Sequence, residues 1–332
     1  MDVKTQIVIQ NNEEIVVKFL KDGGQLLFLG KDEQTYRLFK NALITALSNS
    51  SIAPTFIKNA NTEQILTQIE MTVLKARNVF IILDLKQPQE YGIISDIRKN
   101  YDKSRVPVIV LTKEIGASII NLLQEIGTNS VLVVPYSPVN LIEKIANTIK
   151  PSGLGEIIEA ARKLLSEKQY DSVLRICDTI LKRKPDSAAA YMLKGDVYLA
   201  MLEEKTNTDG RDEKKQALHF YTLAWRGNQK YIEPLKKLLN FYQTEKDIVR
   251  QLHILVELDE LSPLSIDRKI DIGSILIRDF GRKEEGIKFL DSAIALLKKE
   301  HEGTDKQISG IYQRINDALK DSEPELAGRY RQ

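Results

Sequence analysis

The residues of this sequence that could carry chemistry close short apolar runs in its first half. In a parallel sheet the carboxyl ends of the strands meet at one edge, and ligands bind in the crevice beyond that edge. The residues at these positions are Gly30, Lys31, Asp84, Thr112, Val134 and Pro135. Asp84 is the acidic member of this set, so the chemistry of this half depends on the groups that surround its carboxylate.

Other catalytic arrangements are poorly supported. His219, His253 and His301 show no metal-site spacing, and the single cysteine, Cys177, rules out an internal disulfide framework. A hydrolase or transferase would need a nucleophile with a base, or a phosphate-binding loop, and the candidate turn at residues 30–32 (GKD) is not glycine-rich. We therefore expect no enzymatic activity, no catalytic residues, no bound metal and no cofactor.

Five apolar runs alternate with stretches of helical period and predict the elements that position these residues. The runs are LLFLG (26–30), PTFI (54–57), VFIILD (79–84), VPVIVLT (106–112) and SVLVV (130–134). This alternation predicts an α/β domain over residues 25–150 with a doubly wound, parallel, five-stranded sheet. The third and fourth runs are continuously apolar, which is typical of central strands covered on both faces. Residues 1–24 form an N-terminal extension, with a strand expected at 6–10 and a short helix around 13–20.

Composition limits the classes of partner. The chain of 332 residues has room for about two domains, and its 48 basic and 46 acidic residues nearly cancel. The chain therefore has no strong electrostatic field of one sign that would favour binding to nucleic acid or to an anionic membrane. No apolar run is long enough for a membrane span or a signal peptide, and the cysteine usage fits a reducing compartment. We expect a cytoplasmic protein that binds neither nucleic acid nor membrane.

After residue 152 the pattern becomes wholly helical and repeats itself. In the first helix of each pair a small or apolar residue recurs at intervals of 34, 44 and 34, at Ala161, Gly195, Leu239 and Gly273. In the second helix of each pair a residue recurs at intervals of 44, 34 and 35, at Cys177, Tyr221, Leu255 and Leu290. A ten-residue insertion at about 204–213 explains the long interval. The period predicts four helix pairs over 152–300, with a capping helix at about 305–320 and a tail within 301–332.

The second half resembles the tetratricopeptide repeat family. The second copy carries the resemblance best, through Tyr191, Gly195, Tyr198, Ala217, Tyr221 and Ala224. The resemblance implies an all-α solenoid whose first helices line a groove for a peptide or a partner helix. Carrying the groove register over gives Arg162, Met192, Asp196, Lys236, Asn240, Gln243, Ser274 and Arg278. Within this set Lys236 and Asn240, with Arg278 nearby, would clamp a carboxylate. The alternative is that they form a solvated helix face.

The first half resembles the receiver domain of response regulators. The central match is DLKQPQEYG (84–92), in which an aspartate ends the third strand, a proline follows four residues later and a glycine four beyond that. Thr112 and the pair Pro135 and Tyr136 fit the same pattern. The resemblance implies that Asp84 occupies the position of a phosphoacceptor.

The groups that would support phosphoryl transfer are largely replaced. Transfer to a carboxylate needs a metal ion and a lysine to neutralise charge. The acidic pair of the family falls on Gly30 and Lys31, or on Lys31 and Asp32 in a register shifted by one. Val134 replaces the lysine, and Val131 replaces the switch aromatic residue. This degenerate pocket predicts a pseudo-receiver.

The sequence therefore favours a signalling adaptor or scaffold. Such a protein would bind partners through the degenerate receiver-like domain and the repeat groove, and a homodimer through the first domain stays open. The alternative is a response regulator of two-component signalling, in which Asp84 is phosphorylated with Mg²⁺ and the repeats form the output module. Magnesium is expected only in that alternative.

Overall fold

A computed structural model describes most of the chain. The described residues are 3–30, 32–47, 55–58, 62–76, 78–85, 88–103, 105–113, 116–151, 153–204, 211–300 and 305–330. The chain divides into two compact units, Met1–Gly153 and Leu154–Gln332. No helix in the described ranges is long and apolar enough to cross a lipid bilayer.

The first unit is a parallel sheet with helices along it. Its strands are β1 (Gly24–Gly30), β2 (Thr55–Lys58), β3 (Asn78–Asp84), β4 (Val108–Thr112) and β5 (Ser130–Val133). Its helices are α1 (Val3–Lys21), α2 (Glu33–Ala46), α3 (Thr62–Lys75), α4 (Gly92–Asn100), α5 (Ala117–Glu125) and α6 (Pro138–Ile149), and a short 3-10 helix spans Pro88–Tyr91. The body of the sheet consists of β1, β3, β4 and β5. The second apolar run adds a four-residue edge strand, β2, so that the order is β2-β1-β3-β4-β5.

The prediction that the third and fourth runs are central strands is confirmed. β3 lies between β1 and β4, and every residue of β4 is buried. Alternate side chains such as Phe80 and Ile82 join one core cluster with Phe39 of α2 and Leu141 of α6. Because both faces are covered, the apolar run is continuous rather than alternating.

The prediction of a strand at residues 6–10 is wrong. These residues belong to α1, which packs against α6 and β1. Val16 is fully buried in the cluster with Phe39, and the Phe19 ring meets the Phe80 ring edge-on at 6.4 Å between centroids. Packing of Val16 and Phe19 further along α1 outweighs the strand preference of the β-branched run QIVIQ.

The second unit is an all-α array of helical hairpins, as the period predicted. Its helices are α7 (Leu154–Ser166), α8 (Tyr170–Arg183), α9 (Ala188–Glu204), α10 (Arg211–Gly227), α11 (Glu233–Thr244), α12 (Ile248–Leu261), α13 (Ile266–Arg278), α14 (Lys283–Glu300), α15 (Asp305–Leu319) and α16 (Pro324–Gly328). Contacts join α7 to α8, α9 to α10, α11 to α12 and α13 to α14, and each pair also contacts the next. The first-helix and second-helix repeat residues fall on α7, α9, α11 and α13, and on α8, α10, α12 and α14.

Small residues let the paired helices approach closely. A Cβ atom on Gly195 would lie 2.5 Å from the Tyr221 ring, and one on Gly273 would lie 2.8 Å from the carbonyl oxygen of Gly286. Gly286 faces Gly273 across the last hairpin. The α13–α14 crossing therefore depends on glycine in both helices.

Two regions at the edges of the repeats complete the array. The insertion predicted at 204–213 begins at the last residue of α9 and reaches the first turn of α10, and its residues 205–210 lie outside the described part. The capping helix expected at about 305–320 is α15, and the additional short helix α16 was not predicted. Leu319 and Leu326 from these two helices join a cluster with Ile277 and Leu290.

Candidate functional sites

The first candidate site, the strand-end pocket predicted from the sequence, is formed by residues at the carboxyl ends of β1, β3 and β4. Asp84 ends β3 and is 8% exposed, and Thr112 ends β4 and is also buried. Gly30 ends β1 so close to Asp84 that a Cβ atom there would lie 3.0 Å from the Asp84 Cβ and 3.3 Å from its Oδ2. The structure thus places three of the six predicted residues at the ends of adjacent strands.

The groups that follow β5 are an apolar side chain and a phenol. Val134 packs against the core cluster of the sheet, and Val131 pairs with Val110 within the sheet. Burial, with the neighbouring Asp84 carboxylate as the second cause, raises the pKa of Tyr136 to about 12. The phenol therefore stays neutral beside Asp84 and supplies no positive charge to it.

The acidic residues that follow β1 have structural partners. Asp32 caps the amino end of α2, where its side chain accepts a hydrogen bond from the Gln34 amide at 2.9 Å and another from the Thr35 hydroxyl at 3.1 Å. Glu33 pairs with Arg37 at 2.9 Å. Lys31 lies outside the described residues. No group of three acidic, histidine or cysteine side chains that could hold a metal ion occurs in the described ranges.

The second candidate site is the face formed by the first helices of the array, where several expected residues have partners of their own. Arg162 pairs with Glu159 at 2.6 Å. Asp196 accepts a hydrogen bond from the Tyr221 hydroxyl at 2.8 Å and pairs with Lys237 at 2.8 Å, so it ties α9 to α10 and α11. Tyr221 is buried, and this burial together with Asp196 raises its pKa well above the ordinary value.

Three other predicted groove residues, Met192, Lys236 and Asn240, do not come together in an accessible carboxylate-binding site. Met192 is 7% exposed and packs with Ala188 and Ala224, so it belongs to the interior rather than to an accessible groove wall. Lys236 lies 3.4 Å from Glu233, and Asn240 is exposed on the same helix. A cleft near the end of the array is lined by Arg278 without Lys236 or Asn240.

That cleft brings together the remaining expected residues, Gln243, Ser274 and Arg278. It measures about 370 Å³ and crosses α11, α12, α13 and the capping helix α15. Its other walls are formed by Leu255, Ile270, Asp271, Ile275, Arg314, Asp317 and Ala318. The sequence reasoning missed the contribution of α15. The sequence does indicate a polar face on this helix, because Arg314 and Asp317 lie one helical turn apart.

The arginines of this cleft are paired, and of its two acidic residues Asp317 pairs with Lys320, whereas Asp271 has no hydrogen-bond or ion-pair partner among the described residues. Arg278 bonds to Asp279 at 2.9 Å, and Arg314 bonds to Asp267 at 2.5 Å. Partial desolvation within the cleft, followed by the nearby Asp267, raises the pKa of Asp271. Ser274 is 5% exposed, and its Oγ has no hydrogen-bond partner in the part of the chain that the structure describes.

Comparison with known proteins yields structural similarities alone. No protein-family profile matches the chain, and no curated protein matches it by sequence. The chain is similar to TTC0263, a tetratricopeptide repeat protein of Thermus thermophilus (20% identity, 55% of this chain, 89% of that chain, TM-score 0.34). It is also similar to YrrB, described as a tetratricopeptide repeat protein with an unusual peptide-binding site (19%, 52%, 89%, 0.33).

A third similarity is to a putative two-component response regulator/GGDEF protein (14% identity, 40% of this chain, 51% of that chain, TM-score 0.33).

Proposed function

We propose that this protein is a non-catalytic adaptor that holds a segment of a partner protein on the helical array. The receiver-like unit serves as a second docking domain rather than as an enzyme. The observation that carries the proposal is the cleft of about 370 Å³ where Gln243, Ser274 and Arg278 meet the capping helix. A concave site with an apolar floor and a few polar groups is suited to a protruding side chain of a partner.

The composition of the strand-end pocket supports the non-catalytic part of this proposal. Phosphoryl transfer to Asp84 would place negative charge beside a buried carboxylate, which requires cations to neutralise it. The described groups at the strand ends include Gly30, close to that carboxylate, Thr112 at the end of β4 and the neutral phenol of Tyr136. None of these three groups could take the place of the metal ion or the lysine that phosphoryl transfer needs.

Site-specific photo-crosslinking in native lysate tests the adaptor function. A photoreactive residue at the exposed position Gln243, on the rim of the cleft, is expected to capture a discrete protein. The matched control places the same residue at Val249, which is 66% exposed on α12 and does not line the cleft. Capture of the same proteins at both positions, or of none at Gln243, would contradict the proposal.

A phosphorylation switch at Asp84 is the second candidate function. It is favoured by one observation, the position of Asp84 at the buried carboxyl end of β3 with Thr112 ending the neighbouring strand. In this candidate Asp84 is the phosphoacceptor, magnesium is required and the array is the output module.

Intact-mass measurement separates the two candidates. The full chain is incubated with Mg²⁺ and acetyl phosphate, and the adaptor proposal expects no added phosphoryl mass. A gain that Asp84→Asn abolishes would establish the switch instead. The matched control is Asp96→Asn, because Asp96 lies on α4 in an exposed pair with Lys99 and should not alter the result.

A further inference from the structure

We infer that the cleft between α13 and α15 receives the cationic side chain of a lysine or arginine from the partner segment. The Asp271 carboxylate and the Ser274 hydroxyl would be its hydrogen-bond acceptors. This inference rests on the proposed adaptor function and specifies the chemistry of the partner.

The first argument is a buried, unpartnered hydroxyl on α13, Ser274, that lies beside the exposed carboxylate of Asp271. Asp271 and Ser274 stand three residues apart, so their side chains leave the same face of the helix, and both line the cleft. Within the described ranges neither side chain makes a hydrogen bond or an ion pair. A buried hydroxyl without a partner is destabilising, and a bound donor would remove that cost.

The second argument is that the arginines of the cleft already have carboxylate partners. The guanidinium groups of Arg278 and Arg314 bond to Asp279 and Asp267. An anionic guest would compete with these carboxylates and would also face Asp271 and Asp317, which line the cleft. A cationic guest meets the Asp271 carboxylate, which Arg314 and Arg268 stabilise only in part, and its charge would oppose the desolvation and the Asp267 repulsion that raise the pKa of that group.

The third argument concerns the shape and polarity of the floor. Leu255, Ile270 and Ile275 line the cleft beneath the polar groups. Lysine and arginine carry an apolar stem below a charged head, so the stem would contact this floor while the head reaches Asp271. A short acidic side chain offers no such stem.

Binding of positional peptide pools to the full-length chain tests the inference. Each pool is randomised except at one position, which is fixed as lysine, arginine, norleucine or glutamate. The lysine and arginine pools should be retained up to about fivefold more than the norleucine pool, because Asp271 is exposed and an ion pair with an exposed carboxylate has at most about that strength. Equal retention of all pools, or preferential retention of the glutamate pool, would overturn the inference.

Substitutions with matched controls test which side chains cause the preference for cationic pools. Asp271→Asn should abolish the preference for cationic pools, and Ser274→Ala should weaken it a few-fold. Asp171→Asn makes the same chemical change at an exposed position of α8 and should leave the preference intact. If Arg278→Gln removed binding while Asp271→Asn did not, the cleft would be an anion site and the inference would be wrong.

Failure of this inference is distinguishable from failure of the adaptor function. If Gln243 crosslinks a discrete partner but the capture is insensitive to Asp271→Asn, the adaptor function stands and the cationic guest is excluded. If no partner is crosslinked, the function itself fails, whatever the peptide pools show.

Discussion

A buried carboxylate beside a neutral phenol defines the strand-end pocket at the scale of single residues. Asp84 is one of the two causes that raise the pKa of Tyr136 to about 12, and desolvation is the larger. The ionised phenolate would stand next to a carboxylate with little water to screen the repulsion. The pKa of Tyr136 therefore reports on whether Asp84 is charged in the folded protein.

We predict that Asp84→Asn lowers the pKa of Tyr136 from about 12 to a value still above the ordinary 10.0, because desolvation remains. Ultraviolet titration of phenolate absorbance, taken as the difference from Tyr136→Phe, measures it. Since the folded pKa is the higher one, the contribution of the neutral phenol to stability is complete below about pH 10 and is lost as pH rises towards 12. Tyr136→Phe should remove that loss, and an unchanged pKa in Asp84→Asn would contradict the prediction.

The sequence predicts which residues lie in this pocket, but it does not predict their hydrogen-bond partners. Asp84, Thr112 and Gly30 were expected at the strand ends because apolar runs fix where strands stop. The capping bond of Asp32 to α2 was missed, although aspartate before a helix is a known capping signal. The acceptor at Asp271 could not be foreseen, since it depends on which side chains α15 brings to α13.

At the scale of helices, glycine sets how closely the second hairpin closes. The Tyr221 ring occupies the space that a Cβ on Gly195 would need, at 2.5 Å, and Tyr221 is itself fixed by burial and by its bond to Asp196. A methyl group at this position must displace the ring or separate α9 from α10.

We predict that Gly195→Ala destabilises the array by about 1–3 kcal/mol, the usual cost of overpacking a close-packed interior. Gly310→Ala is the matched control: Gly310 lies within α15, and a Cβ there meets nothing within 4 Å, so alanine should stabilise by about 0.5–1 kcal/mol. Urea unfolding followed by Trp225 fluorescence gives both values. Equal effects of the two substitutions would refute the packing argument.

A buried ion cluster joins the third hairpin to the fourth. Asp259 of α12 lies 2.7 Å from the Lys269 ammonium and 3.6 Å from the Arg268 guanidinium of α13, and all three side chains are nearly inaccessible. Two buried cations thus share one carboxylate. Arg268 also donates to the carbonyl oxygen of Ser262.

We predict that Asp259→Asn costs about 3 kcal/mol, because it removes the carboxylate that pairs with the buried Lys269 ammonium and lies beside the Arg268 guanidinium. Asp267→Asn on the neighbouring helix removes an exposed pair with Arg314 and should cost about 1 kcal/mol or less. The difference in unfolding midpoint between the two variants is the measurement. Similar midpoints would mean that water screens the cluster more than its burial indicates.

The helical period found the array, but not how the array ends. Repeats at 34 residues located all four hairpins, because the spacing of small and apolar residues directly encodes helix packing. Helix α16 is five residues long and carries too little pattern to be seen. Helix α1 was hidden by a β-branched run whose conformation depends on packing against α6.

At the scale of the whole molecule, the apolar clusters fall into separate groups along the chain. The cluster of the sheet contains residues from Val16 to Ala146, whereas the last cluster of the array contains residues from Ile270 to Tyr330. The single tryptophan, Trp225, lies in α10, so its fluorescence reports on the array. A change at the end of the array can therefore be observed separately from the sheet.

We predict that removing residues 301–332 destabilises the array by about 5 kcal/mol and leaves the sheet intact. Ile270, Ile277 and Ile294 are buried in one cluster with Tyr312, Ile315 and Leu319, and each newly exposed side chain costs about 1.5–3 kcal/mol. The Trp225 transition should move to lower urea while amide protection of β3 and β4 is unchanged. Removing residues 331 and 332 alone is the control and should have no effect. An unshifted Trp225 transition in the longer truncation would show that α15 and α16 do not cap the array.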